Sequence, residues 1–250
     1  MKRIYNDQVN IDEESIKNLY RKRIEDKKHI DIDAPVVLCG DRDKSKIEEW
    51  TSFEVKERLP LLKLDNESRV LELGFGTGRI TKYITSICKE YVGIDYVKEF
   101  IDLINDRDDI TKNENTHFLN GAFLDFVNRK IDLPVNTRFN RFVISGGVFI
   151  YINDDELKES VEKLLDFLDD ECIIYISEPI AMEERLTLNK FYSDSMESEY
   201  SAIYRTCNEY DEIFEPLYKK GFKKIVSEEF FYNDIKLQKE TKQWIFTFER

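Results

Sequence analysis

The chain has 250 residues and a formal net charge of −13, with 41% hydrophobic and 36% charged residues. This length suits one large domain, or one domain with a small cap, and it allows an ample core. Proteins that bind duplex nucleic acid or a membrane surface need a positive footprint, so the acidic balance argues against both partners. No signal peptide and no apolar run of the roughly 20 residues that span a bilayer is visible, which predicts a cytoplasmic protein.

The four cysteines are predicted to be free and mostly buried thiols, because no two of them form a C-x-x-C pair. They are Cys39, Cys88, Cys172 and Cys207. No local spacing of histidine, cysteine and acidic residues indicates a metal site, so none is predicted.

Residues 1–65 are predicted to form a helical N-terminal cap. Apolar residues recur at helical spacing in the first of its helices, at Ile16, Leu19, Tyr20 and Ile24. A second helix opens with the capping-box sequence of residues 45–48, and a loop is predicted between the two helices at residues 34–41.

From residue 69 onward, strands and helices alternate. Five short apolar segments have strand character, namely 69–73, 91–95, 116–120, 139–145 and 172–177. Such alternation predicts a mainly parallel sheet with helices on both faces, and ligands bind such sheets beyond the carboxyl ends of the strands. Two further segments, around 222–231 and 242–248, should pair antiparallel because only a loop separates them.

Residues 179–205 interrupt this alternation with a polar, aromatic-rich segment. Two interpretations stay open for it. It is either an insertion over the active-site end of the sheet or a helical decoration that contacts no ligand.

The most specific motif is the glycine turn Gly74, Gly76 and Gly78, which directly follows a strand and precedes a helix. Glycine permits a tight turn and a close approach of a ligand to the backbone. The dinucleotide fingerprint G-x-G-x-x-G would require glycine or alanine at position 79, where this chain has Arg79. Glu72, just before the turn, suits a cationic ligand better than a pyrophosphate.

These segments resemble class I S-adenosylmethionine-dependent methyltransferases. VLELGFGTGRITKYI (70–84) is similar to motif I, YVGIDYVKEFIDLI (91–104) to motif II, and the segment 141–168 to the motif IV strand and its helix. The resemblance covers residues 69–178 well. It implies a Rossmann-like α/β fold in residues 66–250, with a mainly parallel seven-stranded sheet, an antiparallel C-terminal strand and the helical N-terminal cap.

The resemblance implies S-adenosylmethionine as the cofactor, with Asp95 accepting hydrogen bonds from its ribose. Many of these enzymes place an acid for the adenine amino group where this chain has Ala122. Either Phe123 then contacts adenine, or Asp125 serves instead. The implied cofactor-binding residues are Tyr20, Glu72, Gly74, Gly76, Gly78, Arg79, Asp95, Tyr96, Ala122, Phe123 and Ser145.

The acceptor side is less well defined. Glu178, after the fifth predicted strand, is the candidate catalytic base, and Tyr151 is a second catalytic candidate. Tyr204 and Arg205 are candidates for substrate binding, since an arginine can hold a phosphate or carboxylate through two hydrogen bonds.

The resulting hypothesis is methyl transfer, to oxygen or nitrogen, on a small-molecule acceptor. Tyr20, Gly40-Asp41 and segments between residues 177 and 206 resemble bacterial class I methyltransferases. Some of those enzymes are associated with the modification of sugars and surface polysaccharides, which suggests a sugar or nucleotide-sugar acceptor. The alternatives are a nicotinamide-dependent oxidoreductase, disfavoured by Arg79, and a non-catalytic module that retains the cofactor pocket. The oligomeric state is open, with a homodimer among the options.

Overall fold

A computed structural model describes residues 2–27, 44–135, 138–193, 198–231 and 240–250. The loop predicted at residues 34–41 and Cys39 lie outside these ranges. The other cysteines are free thiols, of which Cys172 is buried and Cys88 and Cys207 are half-buried. None of the helices in the described ranges combines the length and the apolar character that crossing a bilayer requires.

The strands lie in two sheets. They are β1 (Lys2–Tyr5), β2 (Arg69–Leu73), β3 (Glu90–Asp95), β4 (Thr116–Asn120), β5 (Phe139–Ser145), β6 (Leu168–Ala181), β7 (Leu186–Ser193), β8 (Ser198–Tyr204), β9 (Lys223–Glu229) and β10 (Thr241–Glu249). The main sheet has seven strands in the order β4-β3-β2-β5-β6-β10-β9. Its strands run parallel except β10, which pairs antiparallel with both β6 and β9. The predicted Rossmann-like architecture is therefore confirmed.

Helices cover both faces of the main sheet. They are α1 (Glu13–Lys27), α2 (Lys44–Phe53), α3 (Thr81–Thr85), α4 (Lys98–Asn105), α5 (Phe123–Val127), α6 (Asp154–Leu164), α7 (Cys207–Ile213) and α8 (Glu215–Lys219). Successive strand residues point to opposite faces. Phe142 and Ile144 accordingly join one apolar cluster, whereas Val143 joins another on the opposite face. Burial on both faces explains why these strands are continuously apolar in sequence.

The N-terminal segment contains helices, as predicted, but it begins with a strand. α1 buries Ile16, Leu19 and Ile24, the apolar stripe visible in the sequence. A π-helical turn (Glu54–Arg58) and a 3₁₀ turn (Leu59–Leu62) continue α2 towards β2.

The segment that interrupts the alternation is a β-hairpin. After β6, strands β7 and β8 pair antiparallel, and β1 joins the free edge of β7 to complete a three-stranded sheet. This small sheet packs on α1 and on the 3₁₀ turn Phe149–Tyr151, with Leu19, Ile150, Leu188 and Tyr200 in one buried cluster. The helical alternative for this segment is therefore wrong.

Candidate functional site

A pocket opens at the carboxyl ends of the parallel strands, where ligands bind this kind of sheet. α1 contributes Glu13, Ile16 and Tyr20 to its wall. Of the residues predicted to serve the site, the pocket is lined by Tyr20, Glu72, Gly74, Gly76, Arg79, Asp95, Tyr96, Ala122, Phe123, Ser145 and Tyr151. The fold thus gathers residues from across the sequence into a single cavity.

The glycines around the pocket serve two purposes, since one faces open space and others allow close packing. Gly74 has a φ of +72°, and a Cβ there would lie 2.4 Å from Cγ2 of Val148. Gly146, at the end of β5, has no heavy atom within 4 Å of the place a Cβ would take, so it faces open space. Gly78 does not line the pocket: a Cβ on it would lie 2.5 Å from Ile104 and 2.6 Å from Ile110. Its prediction as a cofactor contact is corrected to a packing role.

Asp95 ends β3 at the pocket with only 6% of its surface exposed. Its Oδ2 accepts a hydrogen bond from the amide of Gly76 at 2.9 Å, and its Oδ1 accepts one from the amide of Val97 at 2.8 Å. Burial raises the pKa of Asp95 to about 6, against the lowering effect of these two amides. A carboxylate has about four lone-pair positions, so this one can still accept further hydrogen bonds from a ligand.

Glu72 and Arg79 lie on either side of the glycine turn and are both buried. Glu72 accepts hydrogen bonds from the hydroxyls of Tyr91 at 2.7 Å and Thr81 at 2.9 Å. Burial raises its pKa to about 7. The Arg79 guanidinium donates to Oε2 of Glu54 at 2.7 Å. This end of the pocket thus offers a cation and a carboxyl group side by side.

After β4, the pocket has alanine, Ala122, at the position where many related enzymes have an acid for the adenine amino group. Gly121, Ala122 and Phe123 line it, and the Phe123 ring is stacked on Phe149 at 6.0 Å. Asp125 does not line the pocket, and its carboxylate forms an ion pair with Lys130 at 2.9 Å. Of the two alternatives, the geometry favours Phe123.

Four tyrosine hydroxyls form a connected group, here called the tyrosine cluster. Tyr20 and Tyr151, which both line the pocket, are hydrogen-bonded at 2.8 Å. Tyr151 also contacts the Tyr200 hydroxyl at 3.1 Å, and Tyr200 contacts that of Tyr204 at 3.3 Å. Tyr204 is therefore connected to the pocket through β8, without lining it.

The structure places Glu178 and Arg205 outside the pocket lining, which corrects two predictions. The Glu178 carboxylate is fully buried and accepts from the amides of Val148 at 2.5 Å and Phe149 at 2.8 Å. It caps the turn after β5 and is not positioned as a base. Arg205, also fully buried, donates hydrogen bonds to Asp154 at 2.7 Å and to the carbonyl of Phe149 at 2.8 Å, so these donors hold the fold together.

Sequence reasoning missed three acidic residues near the pocket, Glu13, Glu54 and Glu156. Glu13 and Glu156 line the pocket from the first turns of α1 and α6. Burial and the neighbouring Glu13 carboxyl raise the pKa of Glu156 to about 7. In sequence, acids at helix starts are ordinary helix-stabilising residues, so nothing there marked them as pocket residues.

Curated relatives of the chain are phosphoethanolamine N-methyltransferases. Phosphoethanolamine N-methyltransferase 1 of Zea mays is 23% identical over 172 residues, which cover 67% of this chain and 32% of that protein. The enzyme of Triticum aestivum is 27% identical over 117 residues, which cover 46% of this chain and 21% of that protein. The chain thus matches about a third or less of the length of these relatives.

Solved structures share the fold at low sequence identity. Phosphoethanolamine N-methyltransferase 1 of Haemonchus contortus, in complex with phosphoethanolamine and S-adenosylhomocysteine, is 16% identical with a TM-score of 0.64, covering 95% of this chain and 48% of that chain. A methyltransferase of Leishmania major is 17% identical with a TM-score of 0.62, covering 97% of this chain and 88% of that chain.

Residues 70–171 match the family model described as "Methyltransferase domain". This segment contains Gly74, Gly76, Asp95 and Ser145, which line the pocket. Residues 70–171 therefore match a methyltransferase domain, and the chain shares the fold of solved S-adenosylmethionine-dependent methyltransferases.

The residues present fit that cofactor. The open turn at Gly146, the buried carboxyl groups of Glu72 and Asp95 and the guanidinium of Arg79 suit a nucleoside with a cationic amino-acid tail. Within the described ranges, no group of three or more histidine, cysteine and acidic side chains is arranged to hold a metal ion.

Proposed function

We propose that the protein transfers a methyl group from S-adenosylmethionine to the nitrogen of a small amine. The observation that carries this proposal is the composition of the pocket wall away from the glycine turn. It combines two carboxyl groups, Glu13 and Glu156, with the hydroxyls of Tyr20 and Tyr151. Such a wall attracts a cation and orients it through hydrogen bonds.

Cofactor recognition is assigned to the residues at the strand ends. The sulfonium of S-adenosylmethionine supplies an activated methyl group with a good leaving group. Asp95 would hold the ribose, and Glu72 and Arg79 would hold the ammonium and carboxylate of the amino-acid tail. The chain then contributes mainly position and desolvation to an in-line displacement.

The acceptor is assigned to the side of Tyr151. The hydroxyls of Tyr20 and Tyr151 are hydrogen-bonded at 2.8 Å, which fixes their orientation at the pocket wall. A hydroxyl oxygen can accept a hydrogen bond from an amine N–H and so aim the nitrogen lone pair. The neighbouring Glu13 and Glu156 carboxyls would compensate the positive charge of the amine.

An amine acceptor must lose a proton to be a nucleophile or to leave as a neutral product. Glu156 suits this task because its raised pKa, about 7, lies near physiological pH. We therefore assign Glu156, in place of Glu178, as the proton acceptor.

The two curated relatives and one solved relative act on, or bind, phosphoethanolamine by their names, and this supports a small amine as the acceptor. Among the described residues that line the pocket, Arg79 is the one cationic side chain, and it is paired with Glu54. The described lining therefore supports the amine more strongly than the phosphate. A sugar or nucleotide-sugar hydroxyl is the second candidate, favoured by the resemblance of residues 177–206.

The test is a panel of acceptors incubated with the purified chain and S-adenosylmethionine. Ethanolamine, phosphoethanolamine, N-methylated derivatives and nucleotide sugars are compared by release of S-adenosylhomocysteine and by product mass. We expect methylated amines and no methylated sugar. Transfer to a sugar hydroxyl would favour the second candidate, and tight binding of NADH without any turnover would overturn the proposal.

Two substitutions test the assigned residues. Glu156→Gln should slow turnover at least tenfold and leave the affinity for S-adenosylhomocysteine unchanged, because the proton acceptor is lost. Glu159→Gln, in the same helix and paired with Lys163 at the surface, is the matched control and should retain full activity. Equal activity of both variants would remove Glu156 from the mechanism.

A further inference from the structure

Glu54 is a fully buried carboxylate that no part of the proposed reaction uses. It begins the π-helical turn Glu54–Arg58, and none of its surface is exposed. Burying a carboxylate costs several kcal/mol unless its charge is paired and its oxygens are hydrogen-bonded. π-Helical turns inside helical segments are rare and are frequent at functional sites.

Both oxygens of Glu54 are engaged, and two of its partners line the cofactor pocket. Oε2 accepts from the Arg79 guanidinium at 2.7 Å. Oε1 accepts from the hydroxyls of Ser145 at 2.5 Å and Tyr175 at 3.0 Å. Because Arg79 and Ser145 line the pocket, Glu54 is connected to the cofactor site indirectly, through these two residues.

Arg79 retains donors for a ligand. Within the described part of the chain its hydrogen bonds go to Glu54, to Thr51 at 3.3 Å and to Ser145 at 3.3 Å. A guanidinium carries five N–H donors, so about two are left over. The remaining donors are on Nε and Nη1, and each can give one charge-assisted hydrogen bond to a ligand carboxylate.

Glu72 is a second buried carboxyl group in the wall of the same pocket as Arg79. In the structure Glu72 is held by the hydroxyls of Tyr91 and Thr81, whereas Arg79 is held by Glu54. Without Glu54, Glu72 would be a buried counterion available to Arg79. An Arg79–Glu72 pair would occupy both groups that the amino-acid tail of the cofactor needs.

We propose that Glu54 is a positioning residue of the cofactor site. It holds Arg79 apart from Glu72, so that Arg79 binds the carboxylate and Glu72 binds the ammonium of the cofactor's amino-acid tail. The segment before β2 thus supplies part of the site from outside the matched methyltransferase domain. This inference rests on the proposed use of S-adenosylmethionine.

The experiment compares two nucleosides by isothermal titration. S-Adenosylhomocysteine carries the amino-acid tail, whereas 5′-methylthioadenosine has the same nucleoside without the ammonium and carboxylate. Glu54→Gln should weaken S-adenosylhomocysteine binding at least tenfold and change methylthioadenosine binding less than twofold. Glu57→Gln, an exposed acid in the same π-helical turn, is the matched control and should change neither.

If Glu54→Gln does not fold, the double variant Glu54→Gln/Arg79→Gln is measured instead, because it leaves no unpaired buried charge. In this double variant, the loss of affinity for S-adenosylhomocysteine relative to methylthioadenosine should equal the loss in Arg79→Gln alone, because Glu54 acts through Arg79. If Glu54→Gln loses the same affinity for both nucleosides, the positioning role is wrong. It is also wrong if the preference against S-adenosylhomocysteine is stronger in the double variant than in Arg79→Gln alone. If the wild-type chain binds neither nucleoside, the proposed function itself fails.

Discussion

At the residue scale, the site depends on buried carboxyl groups whose surroundings differ. Asp95 is held by two backbone amides, Glu72 by two side-chain hydroxyls, and Glu156 lies beside another carboxyl. Burial raises the pKa of all three. Perturbed carboxyl groups clustered in one cavity are typical of sites that bind cations or move protons.

Asp95→Asn should weaken the binding of S-adenosylhomocysteine by about 1–3 kcal/mol, roughly 5- to 150-fold, because a charged acceptor for the ribose is lost. Isothermal titration measures the change. Asp125→Asn is the matched control, since that acid lies nearby in sequence but outside the pocket lining, and it should bind normally. Unchanged affinity in Asp95→Asn would disprove the ribose role, and a weakened Asp125→Asn would restore Asp125 as an adenine contact.

At the element scale, the hairpin β7–β8 and the turn after β5 bring distant side chains to the pocket. β8 places Tyr200 against Tyr151, and the end of β6 places Glu178 under the turn that carries Tyr151. The hairpin and β6 thus position the tyrosine cluster without lining the pocket themselves.

Tyr200→Phe should raise the KM for the acceptor several-fold and leave the affinity for S-adenosylhomocysteine unchanged. The reason is that the Tyr151 hydroxyl loses the partner that holds it at 3.1 Å. Steady-state kinetics with the acceptor varied measures the effect. Tyr192→Phe on the neighbouring strand, where 44% of the side chain is exposed, is the control. A Tyr200→Phe enzyme with wild-type KM would confine the cluster's role to Tyr20 and Tyr151.

Glu178→Gln should behave as a stability variant and not as a catalytic one. The amide side chain replaces one acceptor oxygen with a donor that faces backbone N–H groups, which costs about 1–3 kcal/mol. For a chain of this size that lowers Tm by several degrees. Thermal unfolding and turnover per folded molecule are measured together. A normal Tm with turnover reduced a hundredfold would reinstate Glu178 as the base.

At the scale of the whole molecule, the pocket carboxyls link protonation to cofactor binding. The pKa values of Glu72, about 7, and Asp95, about 6, lie above the ordinary range of carboxyl groups near 4. The ligand-free fold therefore favours their protonated forms. Their contribution to stability is full below about pH 4 and is lost as the pH rises through 6 to 7.

A cationic ligand reverses this preference, because it binds the ionised carboxyls. The Tm increase produced by S-adenosylmethionine should therefore grow as the pH rises from 5 to about 7.5, and then level off. Thermal unfolding with and without ligand measures it. 5′-Methylthioadenosine, which lacks both the sulfonium and the ammonium, should show a much flatter profile. A stabilisation by S-adenosylmethionine that does not vary with pH would contradict the linkage.

Local patterns in the sequence were enough to predict the class of fold and most of one pocket wall. Strand–helix alternation is a local pattern. The glycine turn begins at Gly74, directly after one strand, and Asp95 ends the next strand. Their position at the carboxyl edge of a parallel sheet can therefore be deduced from the sequence. The capping box that opens α7, Thr206 with Glu209, is local in the same way, because its contacts join residues three apart.

Which other polar residues belong to the site depends on the packing of distant elements and could not be predicted from local patterns. Glu54 and Arg79 are 25 residues apart, and Tyr20 and Tyr151 are 131 apart, so no local pattern connects them. Glu178 lies in β6 near the end of the sheet where the pocket opens, yet its carboxylate accepts hydrogen bonds from backbone amides and does not line the pocket. Burial and hydrogen-bond partners depend on how elements pack, and packing is set by contacts between residues far apart in the chain.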